Sequence, residues 1–283
     1  MTPPSLRPSH LLQAMWAVIQ RELFKFSRQY GRLVSSLVRP LLWLAVFASG
    51  FHNVYGVVIA EPYDTPISYD VYIAPGLIGM ILLFSGMQSS LAMVYDREMG
   101  LMRLLLTAPV PRWWMLAAKL LATGVLSLVQ VLVFVVVAAL LGTNLPLLGA
   151  HTPNMLLAWV SAALMLGSLG LLLSVHIRQL ENFAGTMNFV IFPMYFLSTA
   201  LYPLWKLKES GAQWVYQAAR FNPFTHAVEW IRYATYDKDP GMAPWIVLGT
   251  LVLCFGLACW GYDPQRGFGA LSKRDGGAGP TLR

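Results

Sequence analysis

The chain has 283 residues, of which 57% are hydrophobic and only 12% charged, with a formal net charge of +7. A soluble domain carries about a quarter charged residues, so a surface this poor in charge excludes a water-soluble globule and makes lipid the main solvent. The positive balance does not indicate a nucleic-acid partner, because the basic residues sit in short loops between long apolar runs.

The polar start, MTPPSLRPSHLLQ, lacks the apolar stretch of a secretory signal peptide. Membrane insertion is therefore expected to rely on the first span. Next, Leu12, Met15, Trp16, Ile19, Leu23, Phe26 and Tyr30 fall at helical spacing on one narrow face, with Arg21, Lys25 and Arg28 opposite. This pattern predicts a basic amphipathic helix lying on the cytoplasmic leaflet. Six apolar runs follow, near 33–51, 72–94, 114–141, 153–175, 183–202 and 243–261. A helix needs about 20 residues to cross the hydrocarbon core. The runs lack the alternation of barrel strands, so the fold class read here is all-α and integral to the membrane, with six transmembrane helices.

Lysine and arginine set the orientation. Arg7, Arg21, Lys25, Arg28, Arg32 and Arg39 precede or open the first span; Arg97, Arg103, Arg112 and Lys119 follow the second; Arg266, Lys273, Arg274 and Arg283 form the tail. The loop 52–71 has no lysine or arginine, and the loop 142–153 has no charge. Both termini are expected in the cytoplasm. Residues 203–242 carry Lys206, Lys208, Arg220, Arg232 and Lys238 among many aromatics on the outer side. That mixture prefers the headgroup level and predicts one or two short interfacial or re-entrant helices, broken at Asn222-Pro223.

The spans read as almost free of charge, with Lys119 and Glu181 near predicted ends where they can reach the interface. Gln88, Gln130, Asn182 and Asn188 are mild embedded polar groups that suit helix–helix hydrogen bonds. A proton-driven carrier is disfavoured. No P-loop, H-E-x-x-H or G-x-S-x-G pattern occurs, and the five histidines are scattered, so no catalytic, cofactor or metal site is expected. Cys254 and Cys259, five apart on one run, point to different helix faces and read as small packing residues.

The loop after the second run reads Y-D-R-E-M-G-L-M-R-L-L-L-T-A-P-V-P-R from Tyr95. A charged cluster leads into a short helix with Leu101, Leu104, Leu105 and Ala108 on one face, stopped by Pro109 and Pro111. Exposed leucines on a short loop helix point to a docking surface. This stretch resembles the coupling region of ABC-2 type permeases, the membrane subunits of ATP-driven exporters that include lipooligosaccharide and drug-resistance permeases. N-F-V-I-F-P-M-Y-F-L-S-T-A-L-Y-P from Asn188 and N-P-F-T-H-A-V-E-W-I-R from Asn222 fit the same family, and the resemblance runs over nearly the whole chain.

The resemblance implies that Asp96, Arg97, Glu98 and Gly100 form the polar start of a coupling helix whose docking face is Leu104, Leu105 and Pro109. It implies a separate ATPase subunit that holds ATP and Mg, a homodimer of permease chains in membrane lipid, and the bacterial cytoplasmic membrane as location. Asn188, Pro193 and Ser198 would mark span five near the permeation path, with Gln88 as a further path residue, and Asn222 and Pro223 would position the outer helices. The expected organisation is a tail and amphipathic helix at 1–32, a six-span domain at 33–261 containing the coupling loop 95–112 and the outer helices 203–242, and a cytoplasmic tail at 262–283. An importer is disfavoured by the absence of an E-A-A coupling loop; an intramembrane lipid-modifying enzyme or an assembly factor stands as the alternative.

Overall fold

A computed structural model describes residues 8–28, 31, 34, 37–46, 58–59, 67–99, 111–143, 151–177, 179–209 and 211–262. The described residues form ten helices and one small strand pair. Helix α1 spans Pro8–Ser27 and α2 spans Leu37–Val46. Strands β1 (Val58–Ile59) and β2 (Ile67–Ser68) pair antiparallel, with Val58 opposite Ser68. The long helices are α3 (Tyr69–Glu98), α4 (Arg112–Leu140) and α5 (Thr152–His176). Then come α6 (Leu180–Phe196), the short α7 (Leu204–Glu209) and α8 (Gln213–Phe221), α9 (Pro223–Thr235) and α10 (Ala243–Gly261).

Among the described residues four helices are long and apolar enough to cross a membrane: α3 from Val71, α4, α5 and α10. Their sequences explain their ends. Pro153 and Pro244 lie in the first turns of α5 and α10, where no intrahelical N–H is needed. Helix α4 stops at Gly142, whose φ of 91° is open to glycine and lets Thr143 N–H reach back to the Ala138 carbonyl. Asp237 does the same after α9, with φ 54° and Lys238 N–H donating to Tyr233.

The fifth predicted run breaks earlier than its apolar length suggests. Helix α6 has 17 residues and ends at Phe196 instead of running to Tyr202. Residues 197–203 form an irregular turn instead, with Ser198, Thr199 and Ala200 buried. The reason is chemical: Ser198 donates to the Tyr195 carbonyl and accepts from Ala200 N–H, so it folds the chain back on itself. The apolar run is continuous because this turn is buried, and hydropathy alone cannot distinguish a buried turn from a span.

Helix α5 is the centre of the bundle, packing along α3 and α10 and also against α4 and α9. Its seam with α3 is built from small residues. A Cβ on Gly170 would lie 2.5 Å from Ser90 Oγ and 2.9 Å from the Gly86 carbonyl, so the two backbones meet with nothing between them. Such contact replaces the hydrophobic drive that lipid cannot supply. Ser127 on α4 donates to Ser85 on α3 at 2.9 Å, a second polar tie in the interior.

Pro75 interrupts α3 close to its Tyr69 end. Proline cannot donate to the carbonyl four residues earlier, here Val71. Tyr236, just past α9, supplies the missing donor, its hydroxyl reaching the Val71 carbonyl at 3.1 Å. The segment 203–242 is therefore not a set of helices lying free at the surface. Helix α8 does expose Trp214 and Phe221, but α9 buries Phe224, Val228, Trp230 and Ile231 against α3, α5 and α10.

Candidate functional site

The densest set of charges among the described residues gathers at the Glu98 end of α3. Asp96 is buried, its side chain 3% exposed, and accepts three cations: Arg21 Nη2 at 3.2 Å, Lys25 Nζ at 3.4 Å and Lys119 Nζ at 3.4 Å. Arg21 and Lys25 come from α1, Lys119 from α4, so one carboxylate joins three helices. Trp114 of α4 adds a hydrogen bond to the Leu11 carbonyl of α1 at 2.8 Å. Two residues beyond Asp96, Glu98 accepts the N–H of Leu180 at 2.9 Å and thereby caps the first turn of α6. Burying one carboxylate is tolerable only because cations surround it.

Two sequence expectations change here. Lys119 does not reach for the interface; it turns inward to Asp96 and is 13% exposed. The packed face of α1 is not centred on its apolar stripe. Leu12 and Trp16 are exposed, Ile19 and Phe26 are buried, and Arg21 and Lys25 face the bundle. Attraction to Asp96 turns the helix by roughly a quarter of a turn about its axis, leaving Leu12 and Trp16 of the apolar stripe outward. Nearby, Tyr262, just past α10, has its phenol pushed up by burial, an effect that Arg97 and Arg112 partly offset.

Gly100, Leu104, Leu105 and Pro109 lie outside the described residues. Gln88 is half-buried on α3, and its amide oxygen has no partner among the described residues. Asn188 and Pro193 are exposed on α6, whereas Ser198 is buried and its hydroxyl is consumed by the turn described above. Asn222 and Pro223 sit where α8 passes into α9. Pro223 opens α9, and Asn222 accepts from Phe224 N–H as its N-cap while donating to the carbonyls of Met194 and Leu197, both at 2.7 Å. One side chain thus caps α9 and satisfies orphan carbonyls at the end of α6.

These contacts separate two chemistries. Asn222→Asp keeps the cap but loses both donors, and Asn222→Ala loses everything. Thermal unfolding in mild detergent should show Asn222→Ala destabilised by about 2–4 kcal/mol, with Asn222→Asp no better than midway back to the parent. Equal stability of Asn222→Asp and the parent would show that the α6 carbonyls have no need of this amide.

Sequence reading missed Arg232, which it counted as a headgroup anchor. The side chain is buried; it pairs with Glu229 at 2.7 Å, donates to the Thr199 carbonyl at 2.8 Å and lies 4.0 Å over the Tyr72 ring. Tyr72 and Tyr69 donate to the Thr199 and Leu201 carbonyls. The Tyr69 end of α3, α9 and the 197–203 turn are thus one buried polar unit. The glutamate three residues before the arginine is the only trace of this in the sequence, the i,i+3 spacing of a helical ion pair.

The described residues form a helical bundle with spans long enough to cross a membrane, a charged junction at Asp96 and a capped α6–α9 corner, and the ABC-2 type transporter family model matches residues 13–236. The chain belongs to that family and is a transport permease of the ABC-2 type. It is 30% identical over 237 residues to the transport permease ycf38 of Porphyra purpurea, covering 83% of this chain and 78% of the relative. It is 31% identical to the ycf38 permease of Pyropia yezoensis, over 79% and 74% of the two chains. With the inner membrane transport permease YadH of Escherichia coli K12 it shares 25% identity over 92% and 97%.

Proposed function

We propose that this chain is the membrane subunit of an ATP-driven exporter, moving an amphiphilic or hydrophobic cargo with ATP hydrolysed on a separate ATPase subunit. The observation that carries this reading is the junction at Asp96 and Glu98. It joins α1, α3, α4 and α6 immediately before residues 100–110, in a chain that lacks a P-loop of its own. A partner that pushed on that segment would move four helices at once. ATP and Mg belong to the partner, and this chain carries no cofactor. Asp96, Arg97, Glu98 and Gly100 form the polar start of the coupling element, and Leu104, Leu105 and Pro109 dock it.

In this reading α2 is part of span one and α6 with its following turn is part of span five, giving six spans with both termini in the cytoplasm. The segment 1–32 is the cytoplasmic amphipathic entry, 33–261 the membrane domain and 262–283 the tail, in a bacterial cytoplasmic membrane. Two copies meet along α6, whose Phe189, Phe192 and Phe196 are exposed in the single chain. Gln88, Asn188 and Pro193 face the path, Ser198 shapes its outer end, and Asn222 and Pro223 hold the outer helices.

The test is affinity purification of the full chain in mild detergent, followed by mass spectrometry and an ATPase assay on the complex. A stoichiometric nucleotide-hydrolysing partner is expected. Glu98→Lys should lower coupled hydrolysis by about fivefold or more, the scale of a modest coupling energy, while Glu98→Gln, which still caps α6, should stay near the parent. Recovery of intact protein without any ATPase would overturn the reading.

A further inference from the structure

Arg39 lies in α2, inside the first apolar run, and sequence position alone placed it among the cytoplasmic basic residues. Its guanidinium carbon sits 4.0 Å from the centroid of the Phe84 ring on α3. Phe84 is twelve residues from Asp96 and thirteen from Val71, which puts it about 18–20 Å from either end of the apolar stretch. The arginine has therefore not extended to an interface; it holds its charge near mid-membrane, where charge is costly and ordinarily functional.

The other charges drawn into the bundle are matched. Lys119 has Asp96, and Arg232 has Glu229. Among the described residues, Arg39 has no carboxylate partner; it has an aromatic face, which can hold a cation without neutralising it. A second copy of the chain cannot supply the anion from the middle of α2, α3, α4, α5, α6 or α10; its Glu22, Glu209 and Glu229 lie on other helices. Helices α2, α4, α5 and α10 contain no acidic residue, α3 has them only in its first and last turns, and α6 only in its first. Arg39 is nevertheless exposed on the protomer surface.

The surroundings are those of a site for an amphiphile. Trp43, one turn along α2, packs against Tyr195 and Phe196 of α6, so α2 bridges α3 and α6 at this depth. Val38 and Leu42 flank Arg39 and are exposed. A cation held on an aromatic face between apolar walls fits an anionic head group whose hydrocarbon chain lies along α2.

We propose that Arg39 is the specificity-determining residue of the translocation path and that the cargo is an amphiphile with an anionic phosphate or carboxylate head group. This rests on the transporter reading above, but its test needs neither ATP nor a partner. The full chain in lipid nanodiscs is labelled with a photoreactive dodecyl phosphate and, separately, with the matching dodecyl alcohol, and modified peptides are located by mass spectrometry. The phosphate probe should label peptides containing Arg39 or Phe84, and Arg39→Gln should lose about tenfold of that labelling, as expected for removal of a charge-assisted contact. Arg39→Lys should retain most of it, and the alcohol should label both proteins weakly and equally.

Arg39→Gln makes the span more apolar, so its fold is expected to hold; a monodisperse size-exclusion profile checks this. Inorganic phosphate in excess should not displace the probe, because the chain contributes to binding; displacement would overturn the amphiphile class. Equal labelling by phosphate and alcohol, or unchanged labelling of Arg39→Gln, would sink the proposal even if an ATPase co-purifies. Charge-selective labelling without any ATPase would leave this site standing and remove the exporter reading instead.

Discussion

Asp96→Asn is expected to destabilise the protein by about 3 kcal/mol and to release α1 from the bundle. The substitution leaves Lys119 buried without its counter-charge, and removing one partner of a buried ion pair costs about 3–5 kcal/mol. The lower end applies because Arg21 and Lys25 are more than a third exposed and recover hydration when freed. In mild detergent the unfolding midpoint should fall by roughly 5–10 °C. The decisive variant is the double change Asp96→Asn with Lys119→Met, which removes the stranded cation together with its partner. More than half of the lost stability should return. If the double variant were as unstable as the single one, the cluster would matter through shape and not through charge. Protease accessibility within α1 gives a second readout, since a released α1 exposes Ile19 and Phe26, which are buried against the bundle.

Gly76→Ala is expected to be more damaging, at about 4 kcal/mol or beyond. The Cβ it introduces would sit 2.2 Å from the Ala200 carbonyl oxygen and 2.9 Å from the Ala200 carbonyl carbon. Both are backbone atoms and cannot rotate away, so α3 and the 197–203 turn must separate by more than 1 Å or so. That displacement stretches the bonds from Tyr69, Tyr72 and Arg232 to this turn together, and losses in a shared network are larger than their parts. Gly249→Ala is the control. Gly249 lies inside α10 with open space around its added Cβ, so alanine there should be neutral or stabilise by up to about 1 kcal/mol. Midpoints for the two variants measured side by side decide the matter. Similar values would show that the close approach at Gly76 relaxes without cost.

What the sequence revealed and what it hid follow from range. Helices α3, α4, α5 and α10 were legible because apolar length is a local property, and so was the break at Asn222-Pro223, where a capping residue stands directly before a proline. Asp96, Arg97 and Glu98 were noticed as a charged start to a docking segment. The grip of Arg21 and Lys25 on Asp96 was not legible, because it joins residues 75 and 71 positions apart. Arg232 was misread for the same reason: an arginine among aromatics looks like a headgroup anchor until Thr199 and Tyr72 are seen around it. Arg39 shows a different limit. Six residues into an apolar run, its charge reads as peripheral, and only the ring of Phe84 places it deep. Helix α6 was drawn too long because a buried turn is as apolar as a helix.

The proline in α3 sets a length scale for motion. From Pro75 the helix continues to Glu98 without a further proline, a rod of about 35 Å. Its upper end is clasped by Arg232 and the 197–203 turn, with the Val71 carbonyl already satisfied by the Tyr236 hydroxyl, so bending at Pro75 breaks no hydrogen bond inside the helix. Its lower end carries α1, α4 and α6. A tilt of about 5° about such a pivot moves the Asp96 end by about 3 Å and Gln88 by about 2 Å, while the clasped end stays in place. The molecule is thus geared down: a stroke the length of one hydrogen bond at one end becomes a small, graded displacement at mid-depth, and almost none at the other.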